Sequence, residues 1–353
     1  MPIAHLSLAP MRSIAVLAAA VALAAALLTG CGADEPTTAA PSRSAPTPTA
    51  PSTGPVDVSL DSVGGDPAAL VAGVDGDRIM ADVRALAKTP RDPSANAEQA
   101  AAAAKYVETQ LRDAGLEPKK IDVTAQGVTL PTVWAEIPGT QCSDRVFVLT
   151  GHYDTVPGSP GADDDASGIA GMLETARILA GARLPATVVV AGVPFEEQGS
   201  PYAGSAVLAT ELIRHQHRDV FGMVSAEMLG YASTTPNADG RIGDFLNILG
   251  YPDAEQLVQI FDRANTEWAG GAKVEVETVP ATESFISRSD HEAFHMRGIP
   301  AAFATDGANF RTPYYHTAQD VPQNISTDFF AGAVRSLVAG TIGMAGRTAA
   351  CDG

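Results

Sequence analysis

The chain has 353 residues, 45% hydrophobic and 6% aromatic, with 23 Lys+Arg against 41 Asp+Glu for a formal charge of −18. That length suits one large domain or two ordinary ones around a sizeable core, and the apolar share excludes wholesale disorder. A surface this acidic repels a phosphate backbone, which argues against nucleic acid as a partner.

At the start of the chain, Met11-Arg12 opens an apolar run from Ile14 to Leu28 that closes in Leu28-Thr29-Gly30-Cys31. The run has signal-peptide length and falls short of the ~20 apolar residues a membrane-spanning helix needs. Its small-residue step into a cysteine matches the site where bacterial lipoproteins are acylated and cleaved. Residues 1–30 are therefore expected to be a lipoprotein signal peptide and Cys31 the lipidated residue. The expected location is outside the cell, lipid-anchored to the outer face of the bacterial cell membrane. A signal anchor with an incidental cysteine is the competing reading. Positive charge begins only at Arg12, so Met11 is an alternative start.

Residues 31–57 are dominated by Pro, Thr, Ala and Ser and have almost no large apolar side chains. Such a segment cannot build a core and reads as an extended tether. Folding is expected from about residue 58 to 353, as one domain without repeats or a second linker.

Within that domain, Ala101, Ala104, Val107 and Leu111 recur at helical spacing, which predicts a helix over 97–114 stopped by Gly115. Val146–Thr150 and Ala186–Val193 read as buried strands, with a helix over 167–179 between them. Phe221–Ala226 and Ile299–Ala304 read as two further strands, and Asp328–Gly346 as a closing helix. This alternation predicts an α/β fold: three α/β/α layers with a mostly parallel mixed central sheet.

Export implies an oxidising compartment, where Cys142 and Cys351 are available for one bridge or remain two free thiols. The sequence leaves that choice open.

The polar residues that need explaining sit where the predicted strands end, the usual place for sites in open α/β sheets. Gly151-His152-Tyr153-Asp154 follows the first strand, and Gly161-Ala162-Asp163-Asp164-Asp165 opens the next helix. Phe195-Glu196-Glu197 follows the second strand, Glu227 the third, and His316 comes late. Singly, each piece has a structural reading, such as a helix cap. Together they gather two histidines and several carboxylates at the ends of buried strands, where uncompensated charge is costly and metal ions would offset it. Five ligands exceed what one tetrahedral zinc takes from a protein, whereas two zincs sharing a carboxylate use them economically. One carboxylate of the Glu196-Glu197 pair is then left over as a general base.

The strings GHYDT, GADDDASGIAGMLE, FEEQGS, AEMLGY, SDHEAF and YYHTAQD, in this order, resemble the bacterial co-catalytic di-zinc aminopeptidases of the leucyl aminopeptidase type. The likeness spans His152 to Asp320 and extends more loosely back to Ala97. It implies two Zn2+ per chain, with Asp164 bridging, His152 and Glu227 on one ion, Glu197 and His316 on the other, and Glu196 as general base. Many relatives carry Asp where this chain has Glu227. The resemblance further implies that Asp154 orients the His152 imidazole, that Asp165 and Asp290 support the ligands from behind, and that the Asp164–Asp165 peptide is cis. Tyr315 would stabilise the oxyanion, as a tyrosine does there in some relatives, and Arg288 and His291 would lie at the substrate's amino end.

The implied reaction is removal of N-terminal residues from peptides. Carboxypeptidase or glutaminyl cyclase chemistry on the same metal core, and a non-catalytic zinc-binding surface lipoprotein, are the alternatives. Peptides and the membrane are the expected partners, with no protein partner evident. Spacing argues against a dimerisation lid after the Glu pair: Glu197 and Glu227 lie 30 positions apart (227 − 197), with strand signals between them.

Overall fold

The computed structural model describes residues 65–199, 201–236, 243–270 and 273–352. The expected signal segment 1–30, Cys31 and the tether 31–57 lie outside the described residues. Among the described residues, no helix is long and apolar enough to cross a membrane.

One eight-stranded sheet organises the fold. Its strands are β1 (Lys119–Ala125), β2 (Val128–Ile137), β3 (Cys142–His152), β4 (Ala186–Val193), β5 (Asp219–Ala226), β6 (Phe245–Gly250), β7 (Lys273–Thr278) and β8 (Ala301–Thr305). They lie in the order β1-β2-β4-β3-β5-β8-β6-β7. The central β4, β3, β5 and β8 run parallel, so their C-terminal ends emerge at one edge. Antiparallel pairing joins β1 to β2, β2 to β4 and β6 to β8, while β6 and β7 pair in parallel. The expected mixed, mostly parallel sheet is observed.

The helices are α1 (Pro67–Ala72), α2 (Gly76–Leu86), α3 (Ala97–Asp113), α4 (Ala166–Leu179), α5 (Ala203–Thr210), α6 (Glu255–Ala264), α7 (His291–His295) and α8 (Thr327–Ala345). Every residue of β4 is buried, as a strand covered on both faces requires. Its Val188 and Val190 enter the larger core with α2, α3, α4, α6 and α8, while Val189, Ala191 and Val193 pack with α5 and α7 on the other face. These are the outer layers of the three-layer fold.

The predicted strand over 186–193 coincides with β4, whereas that over 146–150 is the middle of a longer β3. The last predicted strand begins two residues late, after Pro300, which has no N–H to give a ladder. The apolar faces of α2 and α6 and the β1–β2 hairpin add elements that the sequence reading leaves undescribed. Cys142 and Cys351 form a disulfide, with Cα atoms 5.5 Å apart. It ties the end of the chain to the start of β3, the end of that strand remote from His152.

Candidate metal centre and active site

Backbone ties converge on the edge where the parallel strands end. The Asp165 carboxylate accepts from the backbone N–H groups of His152 (3.0 Å), Gly168 (3.0 Å) and Met228 (3.1 Å), joining the ends of β3 and β5 to the first turn of α4. Gly168 permits this closeness, since a Cβ there would collide with the Ala226 carbonyl oxygen. Asp154 accepts from the N–H groups of Glu196 (3.2 Å) and Glu197 (3.3 Å), fixing the end of β4 against that of β3. The Asp164–Asp165 peptide is cis, as the resemblance implies. Phe195 and Met228, each beside a site glutamate, adopt φ of 66° and 56°, so the chain turns sharply as it leaves each strand.

His152 is fully buried. Its Nε2 lies 3.3 Å from Asp164 Oδ1, 3.6 Å from Glu227 Oε2 and 4.0 Å from Glu196 Oε2. Its Nδ1 lies 3.6 Å from Asp154 Oδ1, which places Asp154 behind the ring as expected. The other Asp164 oxygen, Oδ2, is 3.1 Å from His316 Nε2, and the same nitrogen is 3.1 Å from Glu197 Oε2. Asp164 thus presents one oxygen to each histidine. Asp290 is buried at the start of α7, with the hydroxyl of Ser205 beside it.

Electrostatics explain why these groups need one another. Burial opposes charge on His152, yet Glu227 and Glu196 raise its pKa well above the usual value. Burial also opposes charge on His316, but Asp164 and Glu197 hold its pKa up to about 10. Burial raises Glu196 well above the carboxylate range; His152 pulls it down, while Glu227, Glu197 and Asp290 push it further up. Burial, with Asp164 adding to it, takes Glu197 to about 7. Asp164 is held below the usual carboxylate range, because its histidine partners overcome its burial.

The donor set fits metal ions. His152 Nε2, Asp164 Oδ2 and Glu197 Oε1 are buried without a hydrogen-bond partner among the described residues, an arrangement that is costly unless something else binds there. Ligand atoms of His152, Glu196 and Glu227 lie within 4.8 Å of one another, as do those of Asp164, Glu197 and His316. Imidazole and carboxylate together suit zinc. In the first group Asp164 approaches His152 more closely than Glu196 does, so Asp164 is the better shared donor and Glu196 the better free carboxylate.

Three supporting residues lie outside the sequence-derived set. Ser289 donates its hydroxyl to Glu227 Oε2. Asp320 accepts from the N–H groups of Asp163 (2.8 Å) and Asp164 (3.0 Å). The buried Arg91 guanidinium donates to the carbonyls of Leu86, Tyr153, Pro160 and Gly161, holding the loop between His152 and Asp164. Two of them carry a sequence signal, Ser289 opening the SDHEAF string and Asp320 closing YYHTAQD, whereas Arg91 carries none.

A cleft of about 740 Å3 adjoins the centre, lined among others by Glu227, Leu249, Phe285, Arg288, Phe303 and Tyr315. The Tyr315 ring stacks on His316, with centroids 3.7 Å apart. Of the two residues expected at a substrate's amino end, Arg288 lines this cleft and His291 does not. His291 is buried, its Nε2 2.5 Å from the Ile286 carbonyl and its ring stacked on Phe303 at 4.6 Å, so it backs the cleft wall without lining it. Burial lowers its pKa to about 3, which leaves it neutral. Arg288 lines the cleft, but its cation would repel an ammonium group, and it hydrogen-bonds Tyr315 and Asn309.

Comparison with known proteins places these features in context. The model of Peptidase family M28 matches residues 132–340. A probable zinc metalloprotease of Pyrenophora tritici-repentis is 29% identical over 225 residues, covering 55% of this chain and 45% of that protein. The match therefore spans less than half of that relative's length. Among solved structures, the LapA aminopeptidase of Legionella pneumophila superposes with a TM-score of 0.65 at 18% identity, covering 80% of this chain and 75% of that one. A glutaminyl cyclase of Bacteroides thetaiotaomicron gives a TM-score of 0.58 at 17% identity, over 75% of this chain and 97% of that one. At such identities these two likenesses carry the fold alone.

Proposed function

The chain belongs to peptidase family M28, and from that premise we propose that it is an aminopeptidase holding two zinc ions, lipid-anchored through Cys31 to the outer face of the bacterial cell membrane. The observation that carries the two-metal reading is Asp164, whose two oxygens face His152 and His316 at 3.3 and 3.1 Å, with Glu227 and Glu197 completing the two groups. When bound, two zinc ions supply Lewis acidity at the substrate carbonyl and lower the pKa of water.

The chain's own residues do the rest. Glu196, buried beside the centre and 4.0 Å from His152 Nε2 where Asp164 is at 3.3 Å, takes the proton from the attacking water and passes it to the leaving amine nitrogen. Tyr315 donates its hydroxyl to the oxyanion that develops on the carbonyl. Glu196 and Glu227 attract the free ammonium of the substrate, which sets cleavage at the N-terminal bond. The apolar walls of the cleft, Leu249, Phe285 and Phe303 among them, receive the first side chain.

One peptide panel tests this, each sequence in free, N-acetylated and C-terminally amidated form, before and after chelation and zinc return. Cleavage that requires the free amine and returns with zinc is the expected result. Cleavage blocked only by amidation indicates a carboxypeptidase. Cyclisation of N-terminal glutamine without cleavage indicates a cyclase.

A further inference from the structure

Arg288 Nη2 donates to Tyr315 Oη at 3.1 Å, and its Nη1 donates to Asn309 Oδ1 at 3.1 Å. A guanidinium carries donors only, so in the first contact the phenol oxygen is the acceptor. The proton of the Tyr315 hydroxyl is then free to be given elsewhere. The contact is made at the oxygen: the guanidinium carbon lies 6.0 Å from the ring centroid, at the outer limit for a cation over a face.

The placement of Tyr315 gives the orientation its consequence. Its ring is stacked on His316, and it lines the same cleft as Glu227. The negative charges of Asp164, Glu227 and Glu197 act on the Tyr315 phenol, so without a cation at its oxygen the hydroxyl hydrogen would be drawn toward them. A cation bound at the oxygen strengthens the hydroxyl as a donor and lowers the cost of placing negative charge before it. Asn309 holds the other Nη, a second anchor that keeps the exposed fork turned to the phenol.

We propose that Arg288 is the positioning residue for Tyr315, holding the phenol by its oxygen so that the hydroxyl proton is donated to the substrate's developing oxyanion. This rests on the aminopeptidase reading above and on the role of Tyr315 in it.

A double-mutant cycle tests the proposal: Arg288→Ala, Tyr315→Phe and the double variant, with Arg288→Lys as the conservative control. kcat and KM are measured on the best-cleaved free peptide of the panel, and melting temperature and zinc content are measured alongside. Arg288 is exposed, so its truncation leaves the fold and the bound zinc unchanged. Tyr315→Phe is expected to lower kcat on the order of 10²-fold, as loss of an oxyanion donor does. Arg288→Ala is expected to lower kcat roughly tenfold with KM little changed while Tyr315 is present, a share of that donor's effect. In the Tyr315→Phe background the same substitution is expected to change nothing, and lysine is expected to restore part of the loss when Tyr315 is intact. Equal losses in both backgrounds, a loss confined to KM, or an unchanged kcat in Tyr315→Phe would overturn the proposal while leaving the aminopeptidase reading intact. A wild-type protein that cleaves nothing in the panel would overturn that reading and this one with it.

Discussion

Ser289 donates its hydroxyl to Glu227 Oε2 at 2.7 Å, and the Ser225 hydroxyl stands 3.1 Å behind it. By the resemblance, Glu227 stands where many relatives carry the shorter aspartate, and its additional methylene leaves an extra torsion to be fixed. The serine fixes it, because the oxygen Ser289 holds is the one 3.6 Å from His152 Nε2. Ser289→Ala is expected to weaken zinc binding about 10- to 100-fold, the usual cost of losing a partner behind a metal ligand. Competition with a chelator of known affinity measures this, and unchanged affinity would remove Ser289 from the account.

Glu196→Gln keeps the shape of the side chain and removes its ability to take a proton. Turnover is expected to fall about 10²- to 10⁴-fold, the range general bases contribute. Bound zinc is expected to stay at the wild-type level, because in the proposed centre Asp164 and not Glu196 is the shared donor. Loss of zinc together with activity would make Glu196 a ligand.

Asp306 and Asp163 share a buried pocket at the end of β8, where burial raises Asp306 to about 7 although Asp163, the Ala308 and Tyr231 N–H groups and Arg311 favour its charged form. Burial and the Asp306 charge raise Asp163 well above the carboxylate range. Unfolded, an aspartate titrates near ~3.9. Between the two values the folded state holds the extra proton, so this contribution is fully present below about pH 4, declines as pH rises and is exhausted above about pH 7. Asp306→Asn is expected to flatten the dependence of melting temperature on pH across that window relative to wild type. Parallel curves for the two proteins would contradict the assignment.

The Cys142–Cys351 bridge spans 209 residues of sequence and sits at the start of β3, while His152 ends that strand. Cys351→Ser is expected to lower stability by about 2–5 kcal/mol, as loss of a native disulfide does. kcat should not change, since the 11-residue strand carries the bridge at one end and the centre at the other. Denaturant unfolding and peptide hydrolysis, run side by side, check both parts.

How far sequence carries the structure depends on the residue. β4 is legible to its ends because Ala186–Val193 is a valine-rich run with Thr187 as its one polar residue, bounded by Pro185 and Pro194, the signature of a strand buried on both faces. The proposed ligands and base are legible because His152, Glu196, Glu197 and Glu227 follow predicted strands, Asp164 opens a predicted helix, and His316 lies in its own string. β7 alternates Val274 and Val276 with Lys273, Glu275 and Glu277, a half-buried edge strand whose period is present but short. The β1–β2 hairpin is obscured by Pro131 inside β2 and by the polar residues of β1. Ser289 and Arg91 are beyond reach for a different reason. Their partners Glu227 and Tyr153 each lie 62 positions away, and nothing in a serine, even one that opens the SDHEAF string, or in an arginine marks such a contact before the chain has folded.

The two-ion centre is tested most directly by titrating zinc into chelated protein while following bound metal and hydrolysis of a free-amine peptide in the same samples. Two zinc ions per chain in the wild type, one in His316→Ala, and activity that rises only as the sites fill are the predicted results. One zinc per chain in the wild type, or hydrolysis that survives complete chelation, would contradict the account.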